Sequence, residues 1–435
     1  GARLGTELRP IATPLAMGGY IGSMADTLSA AFRESGFVPV SGSASPQAEA
    51  SAVAPPERPD LGPGDAVGIN LITGDFNMGA TGTVTEVDGD QVYAFGHPFY
   101  NLGPTQFPMT RAHVLTLLPS LSSSTRVAWT GETIGTFRQD RATAVAGTLG
   151  KGPDLIPVRI SLDTERGLKK DFRFDVVNDQ LFTPLLTYVS IVNTLTAYER
   201  EYGAATFAVR GRAVGRKHGV VTFEDIFSGE SPSIGAAAYI VGPLTFLLGN
   251  DFEPVQLDGV DLTITTSEQP RTARLERVWL DTPVIRRGHT VPLRLLLRTY
   301  RGEEITRTVP IPIPPNASGT LSILVSDAAR LAQVDPRGTR ALTQPSGLPQ
   351  MIRELNQVRK NSRLYVRLLG RDPGGVVSGE KLPSLPPSVL AVMEADGNGG
   401  SFTPLRSATL GEWELTLDGA VSGSRTLTID VDNRN

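Results

Sequence analysis

The stretch Thr81-Gly82-Thr83-Val84-Thr85-Glu86-Val87-Asp88-Gly89-Asp90-Gln91-Val92-Tyr93-Ala94-Phe95-Gly96-His97-Pro98 decides how this chain is read. Strand-forming residues lie on both sides of Asp88-Gly89, a dipeptide that supplies the positive φ of a tight hairpin turn. Thr81–Val87 and Gln91–Phe95 are therefore expected to be paired strands. The hairpin delivers the chain to Gly96-His97-Pro98. Glycine permits unusual φ before the histidine, and proline fixes the turn after it. An imidazole seated in this way at the rim of a small barrel stands where a general base belongs. The competing reading is a structural or surface histidine, which a lone histidine in a turn more often is.

Short β segments continue on both sides of the hairpin. Strands are expected at 66–72, 126–130, 133–139, 144–149, 156–161 and 172–177, at the close spacing of a small barrel or sandwich. A helix is expected over Thr183–Tyr198, with Leu185, Leu186, Val189, Val192 and Leu195 along one side. A hairpin (205–212 and 219–223) and a buried helix near Ala236–Leu248 follow. Strands at 260–265, 273–280, 290–299 and 304–311 alternate apolar and polar residues, an immunoglobulin-like sandwich pattern without its Cys and Trp hallmarks. The last block reads as an amphipathic helix (Met351–Lys360), a strand (363–368) and a terminal hairpin (411–417 and 426–431). Near the start, Ser23 to Gly36 frames one helix, and Ser41–Pro63 is a Ser/Ala/Pro-rich linker with too little apolar surface to order itself. No internal repeat is evident.

Composition narrows the chemistry. The 435 residues contain no cysteine, which excludes disulfides, thiolate metal sites and a cysteine nucleophile. Four histidines (His97, His113, His218 and His289) make a multi-histidine metal site improbable, and no cofactor or metal is expected. The near balance of 41 basic and 45 acidic residues argues against a nucleic-acid binder. The longest uncharged stretch, Ser231–Asn250, is strongly apolar only over its last dozen or so residues. It is read as a core helix, and no transmembrane segment is expected. The chain opens Gly1-Ala2-Arg3 with neither an initiator Met nor a signal peptide, so the N-terminus does not disclose the compartment.

The remaining candidates weigh less than His97. His113 follows Arg111 in an expected helix, and His218 and His289 sit in Lys/Gly-type turns; all three read as solvated surface residues. Asp140-Arg141 reads first as a buried or semi-buried ion pair and second as a device that orients His97. Gly79-Ala80-Thr81-Gly82-Thr83 leads into a strand and lacks the Lys-Ser/Thr of a phosphate loop, so nucleotide binding is set aside. Ser41-Gly42-Ser43-Ala44-Ser45-Pro46 offers hydroxyls at the mouth of a linker, without the rigid seat and oxyanion hole that a nucleophile needs.

Several stretches together resemble one family: Pro10-Ile-Ala-Thr-Pro-Leu15, Pro63-Gly-Asp-Ala-Val-Gly68, Gly79-Ala-Thr-Gly-Thr-Val84, Tyr93-Ala-Phe-Gly-His-Pro-Phe99, Asn101-Leu-Gly-Pro-Thr105, Leu118-Pro-Ser-Leu121 and Gln139-Asp-Arg-Ala-Thr143. The chain resembles the sporulation factor IV B (SpoIVB) serine peptidase family, in its non-sporulation bacterial envelope branch, closely over roughly residues 1–200. The resemblance implies a chymotrypsin-like small β-barrel peptidase with its general base on His97, acting on a protein or peptide substrate. It also implies a periplasmic or envelope location.

The family's serine motif, Gly-Met-Ser-Gly-Ser-Pro, is absent from these 435 residues. In this branch the motif precedes the Pro-Ile-Ala-Thr-Pro segment, so the serine and its acidic partner are expected upstream of Gly1 or on a second chain. The whole is expected to be mainly β with a few helices. An N-terminal helix segment and linker (1–63) precede the His-bearing peptidase domain (64–200). A sandwich-like domain with one buried helix (201–335) and a C-terminal α+β or β-rich domain (345–435) complete the chain. The rival expectation is a catalytically inactive, peptidase-derived envelope protein that acts as a binding or structural partner.

Overall fold

The computed structural model describes residues 13–34, 37–41, 60–118, 125–165, 167–198, 205–229, 231–282, 284–334, 345–370, 374–377, 380–382, 387–395, 402–405 and 408–432. The fold is mainly β with several sheets. It divides into two compact units: residues 1–201, 211–222 and 233–264 form one, and residues 202–210, 223–232 and 265–435 form the other.

The first unit begins with β1 (Thr13–Gly18), α1 (Gly22–Glu34) and β2 (Phe37–Ser41). It continues through β3 (Ala66–Gly74), β4 (Asn77–Asp88), β5 (Gln91–Ala94), β6 (Gly103–Leu118), β7 (Thr125–Arg141) and β8 (Ala144–Leu149). β3 pairs β6, β6 pairs β7, β7 pairs β8, β8 pairs β5, β5 pairs β4, and β4 returns to β3, every step antiparallel. Six strands thus close into a barrel with no free edge. Bulges bend its walls between Asn70 and Ile72, Val84 and Glu86, and Phe137 and Gln139, as closure of a small barrel requires. Val67, Ile69, Val92, Ala94, Phe107, Met109, Phe137 and Val145 are fully buried.

β1 lies antiparallel to β4, with Leu15 opposite Ala80, and parallel to β2. Segments distant in sequence, Thr13-Pro14-Leu15 and Gly79-Ala80-Thr81, thereby become neighbours. The sheet also includes β9 (Leu155–Thr164), β10 (Lys169–Val177), β11 (Ala205–Gly215), β12 (Gly219–Gly229) and β13 (Leu257–Ser267). Val260–Thr265, read from the sequence with the later sandwich strands, lies in β13 and pairs within this larger sheet.

α2 (Phe182–Tyr198) is apolar on more than one side, and several of its buried polar side chains find partners. Asp179 Oδ1 accepts from the Leu181 and Phe182 amides at 2.8 and 2.9 Å and caps the first turn. Asn193 accepts from the Ile21 amide at 2.8 Å and donates to the Gly19 carbonyl at 3.2 Å. Beside it the Tyr20 phenol meets Ser190 Oγ at 3.4 Å, and burial pushes it up to about 12. α3 (Pro232–Leu248) buries Ala236, Ala237, Ile240, Val241, Leu244 and Leu247. Among the described residues no helix is long and apolar enough to cross a membrane.

The second unit holds β14 (Thr272–Leu280), β15 (Ile285–Arg286), β16 (Thr290–Thr299), β17 (Glu304–Pro312), β18 (Gly319–Ser326), α4 (Ala328–Val334), α5 (Leu348–Asn356) and β19 (Arg363–Gly370). It ends with β20 (Gly374–Val377), β21 (Glu380–Leu382), α6 (Pro387–Ala395), β22 (Phe402–Leu405), β23 (Ala408–Thr416), β24 (Ala420–Ser422) and β25 (Ser424–Asp432). A four-stranded sheet (β17-β16-β14-β24) and a five-stranded sheet (β15-β25-β18-β19-β23) share one apolar core. Val291, Leu293, Leu295 and Leu297 enter it from one face of β16, the period-two pattern that marks this strand in the sequence. The terminal strands Ala408–Thr416 and Ser424–Asp432 belong to the same core.

Candidate functional site

The barrel hairpin β4–β5 ends at Ala94, and the segment 95–103 that follows is unusual in its backbone. Phe95 (φ 75°) and Asn101 (φ 59°) are non-glycine residues in the left-handed region, and Gly96 and Gly103 also have positive φ. Non-glycine residues there cost on the order of 1 kcal/mol or more and persist only where surrounding contacts dictate them.

Those contacts are identifiable. The Phe95 amide donates to the Thr83 carbonyl at 2.9 Å. Its ring lies directly on Gly82, where a Cβ would come within 2.6 Å of it. The glycines of the Gly79–Thr83 segment thus serve close packing. Phe99 and Tyr100 anchor the segment from below. Phe99 packs at 6.0 Å from Phe107, 6.3 Å from Phe182 and 5.2 Å from Phe37, and Tyr100 lies 5.5 Å from Phe182.

The third anchor is Asp140, fully buried near the end of β7. Its Oδ1 accepts from the Phe99 amide at 2.7 Å, and its Oδ2 from the Tyr100 amide at 2.7 Å and the Leu102 amide at 3.1 Å. Three converging N–H groups compensate the desolvation of a buried carboxylate. This corrects the ion-pair reading of Asp140. Arg141 points to the opposite side of the strand, is exposed, and donates to Gln139 Oε1 at 3.0 Å. Nor does Asp140 bond the His97 ring; it holds the backbone beside it.

His97 itself is half-buried. Its Nδ1 lies 2.8 Å from the Pro98 carbonyl oxygen, and its ring meets the Phe95 ring edge-on at 5.9 Å. With Nδ1–H donating to that carbonyl, Nε2 is left as the acceptor. Among the described residues no serine or threonine hydroxyl bonds the ring. What the arrangement can do by itself is accept a proton at Nε2 from a group brought to it.

The other histidines lie elsewhere. His113 is in strand β6, not a helix: it pairs Trp129 of β7 and meets that ring edge-on at 5.5 Å. The Arg111–Thr116 run reads ambiguously alone, and its long-range pairing decides it. Arg111 reaches Glu132 at 3.4 Å. His218 stands 3.8 Å from Glu253, and His289 is exposed. No three His, Asp or Glu side chains converge as a metal site among the described residues. Gly42–Pro46, the rest of the serine-rich segment after Ser41, lies outside the described residues.

One perturbed carboxyl escaped the sequence reading. Asp225, buried on β12, accepts from the Asn361 amide at 2.8 Å, Asn361 Nδ2 at 3.0 Å and the Ile226 amide at 2.8 Å. Burial pushes it up to about 6, against those N–H bonds and the Lys360 charge, which pull it down. Neighbouring Glu224 pairs with Lys360. The group ties the turn after α5 and is spent on that task. No sequence motif announces it, since its partner lies 136 residues away.

Comparison with protein-family models, with curated proteins and with solved structures returned no match.

Proposed function

We propose that this chain carries the general-base part of a serine endopeptidase site of the SpoIVB-like, chymotrypsin-like type, with His97 as the base. The observation that carries the reading is the seat of His97. The ring stands on an over-determined loop at the end of a barrel hairpin, with Nδ1 bonded to Pro98, which leaves Nε2 as the ring's acceptor. A closed six-stranded antiparallel barrel supports it, because that is the scaffold on which such peptidases mount their histidine. The hydroxyl comes from outside the described residues, from a segment upstream of Gly1 or from a second chain. His97 Nε2 takes the serine proton as its oxygen attacks the peptide carbonyl, then returns that proton to the leaving amine. The substrate is a protein or peptide in the cell envelope or periplasm.

A second reading is a peptidase-derived binding protein without activity. What favours it is that no hydroxyl bonds the His97 ring among the described residues and that Asp140 is committed to backbone amides.

Cleavage of a denatured protein by the product of the complete reading frame separates the two. The enzyme reading predicts turnover that a serine-directed inhibitor blocks and that His97→Ala lowers by several orders of magnitude. Turnover indifferent to His97 contradicts its role as the base, and no turnover at all supports the inactive form.

A further inference from the structure

The Pro98 carbonyl that receives His97 Nδ1–H and the Phe99 amide that donates to Asp140 are two ends of one peptide group. That group is planar and rigid. Its N–H is 2.7 Å from Asp140 Oδ1, and its C=O is 2.8 Å from His97 Nδ1. Hydrogen bonds in such a chain polarise one another: a carboxylate on the N–H makes the carbonyl a stronger acceptor.

We infer that Asp140 positions and polarises His97 through the Pro98–Phe99 peptide, in place of an acid that touches the imidazole. This rests on the reading of His97 as a base and deepens it, because the partner that completes the site then needs to bring only a hydroxyl, with no carboxylate. Three features build the relay. Asp140 is fully buried, so its charge is not shared with water. Its second oxygen takes the Tyr100 and Leu102 amides, which fixes the loop that follows the relaying peptide. Pro98 fixes its own φ, and the Phe99 N–H bond to Asp140 holds the rotation of the peptide that carries the carbonyl. As the imidazole gains a proton at Nε2, positive charge develops on a ring whose other nitrogen already donates along this chain. The buried carboxylate stabilises that charge through the peptide, as an orienting carboxylate does by direct contact in the Ser-His-Asp arrangement.

Nitrogen-detected NMR of this chain, at a pH where histidine is neutral, tests the relay without a nucleophile. The expected result is a single His97 tautomer with Nδ1 protonated and Nε2 bare. Scalar couplings across the two hydrogen bonds should join His97 Nδ1 to the Pro98 carbonyl carbon and the Phe99 amide nitrogen to the Asp140 carboxyl carbon. Asp140→Asn, which places an NH2 group against amide donors, should return His97 to a mixed tautomer. In the product of the complete reading frame it should slow fluorophosphonate labelling by at least about tenfold, roughly one hydrogen bond's worth.

A wild-type His97 carrying its proton on Nε2 overturns the relay, as does an unchanged Nδ1–H tautomer in folded Asp140→Asn. If that variant does not fold, the wild-type couplings decide: their presence supports the relay, and their absence overturns it. The relay and the enzyme reading fail separately. An Nδ1–H tautomer without any labelling leaves the relay standing and removes the peptidase. Labelling that depends on His97 with an Nε2–H tautomer does the reverse.

Discussion

Gly82 shows how one missing side chain shapes the candidate site. The Phe95 ring occupies the space of its Cβ, and Phe95 in turn meets the His97 ring at 5.9 Å. Gly82→Ala is therefore expected to destabilise the protein by about 1–3 kcal/mol, read as a lower urea midpoint at unchanged slope. It should also shift the His97 ring resonances. Asp225 makes a prediction with a different sign from most carboxylates. Its folded value of about 6 lies above the ordinary 3.8, so between about pH 4 and pH 6 the native state holds a proton that the unfolded chain has released. Its contribution to stability is greatest below about pH 4 and is lost as pH rises through 6, by on the order of 3 kcal/mol. The melting temperature of Asp225→Asn minus that of the wild type should accordingly rise from pH 4 to pH 7. A difference that stays flat or falls would contradict the assignment.

At the scale of elements, α2 supports the loop through Phe182, which packs against Phe99, Tyr100 and Phe107. Asp179 holds the helix start, so Asp179→Ala should cost about 1 kcal/mol and raise amide exchange in the first turn of α2. Much of the element layout was legible in the chain. The hairpin around Asp88-Gly89, the apolar run of Thr183–Tyr198 and the alternation of β16 are all carried by the residues themselves. β1 and β2 were not legible: they are short, and their pairing with β4 and with each other is set by tertiary contact. Arg126–Thr130 and Thr133–Gln139 read as two strands because Gly131 interrupts the pattern, whereas the long partner β6 holds them as one. His113 was misplaced on a helix for the same reason, since only its partner Trp129 distinguishes the strand.

For the molecule as a whole, the sequence discloses which residue could act but not what holds it. His97 was singled out by its Gly and Pro neighbours. The role of Asp140 required the fold, because it acts on backbone amides 38 to 41 residues away and no side-chain pattern encodes such contacts. A chain without cysteine and with four histidines has few groups able to do covalent chemistry. Covalent chemistry would therefore fall to one imidazole and a hydroxyl brought to it. Fluorophosphonate labelling of the product of the complete reading frame, with the modified residue located by mass spectrometry, tests this most directly. One labelled serine outside the described residues is expected, with a labelling rate that collapses in His97→Ala. A serine labelled equally well without His97, or no labelled residue in the folded protein, would contradict it.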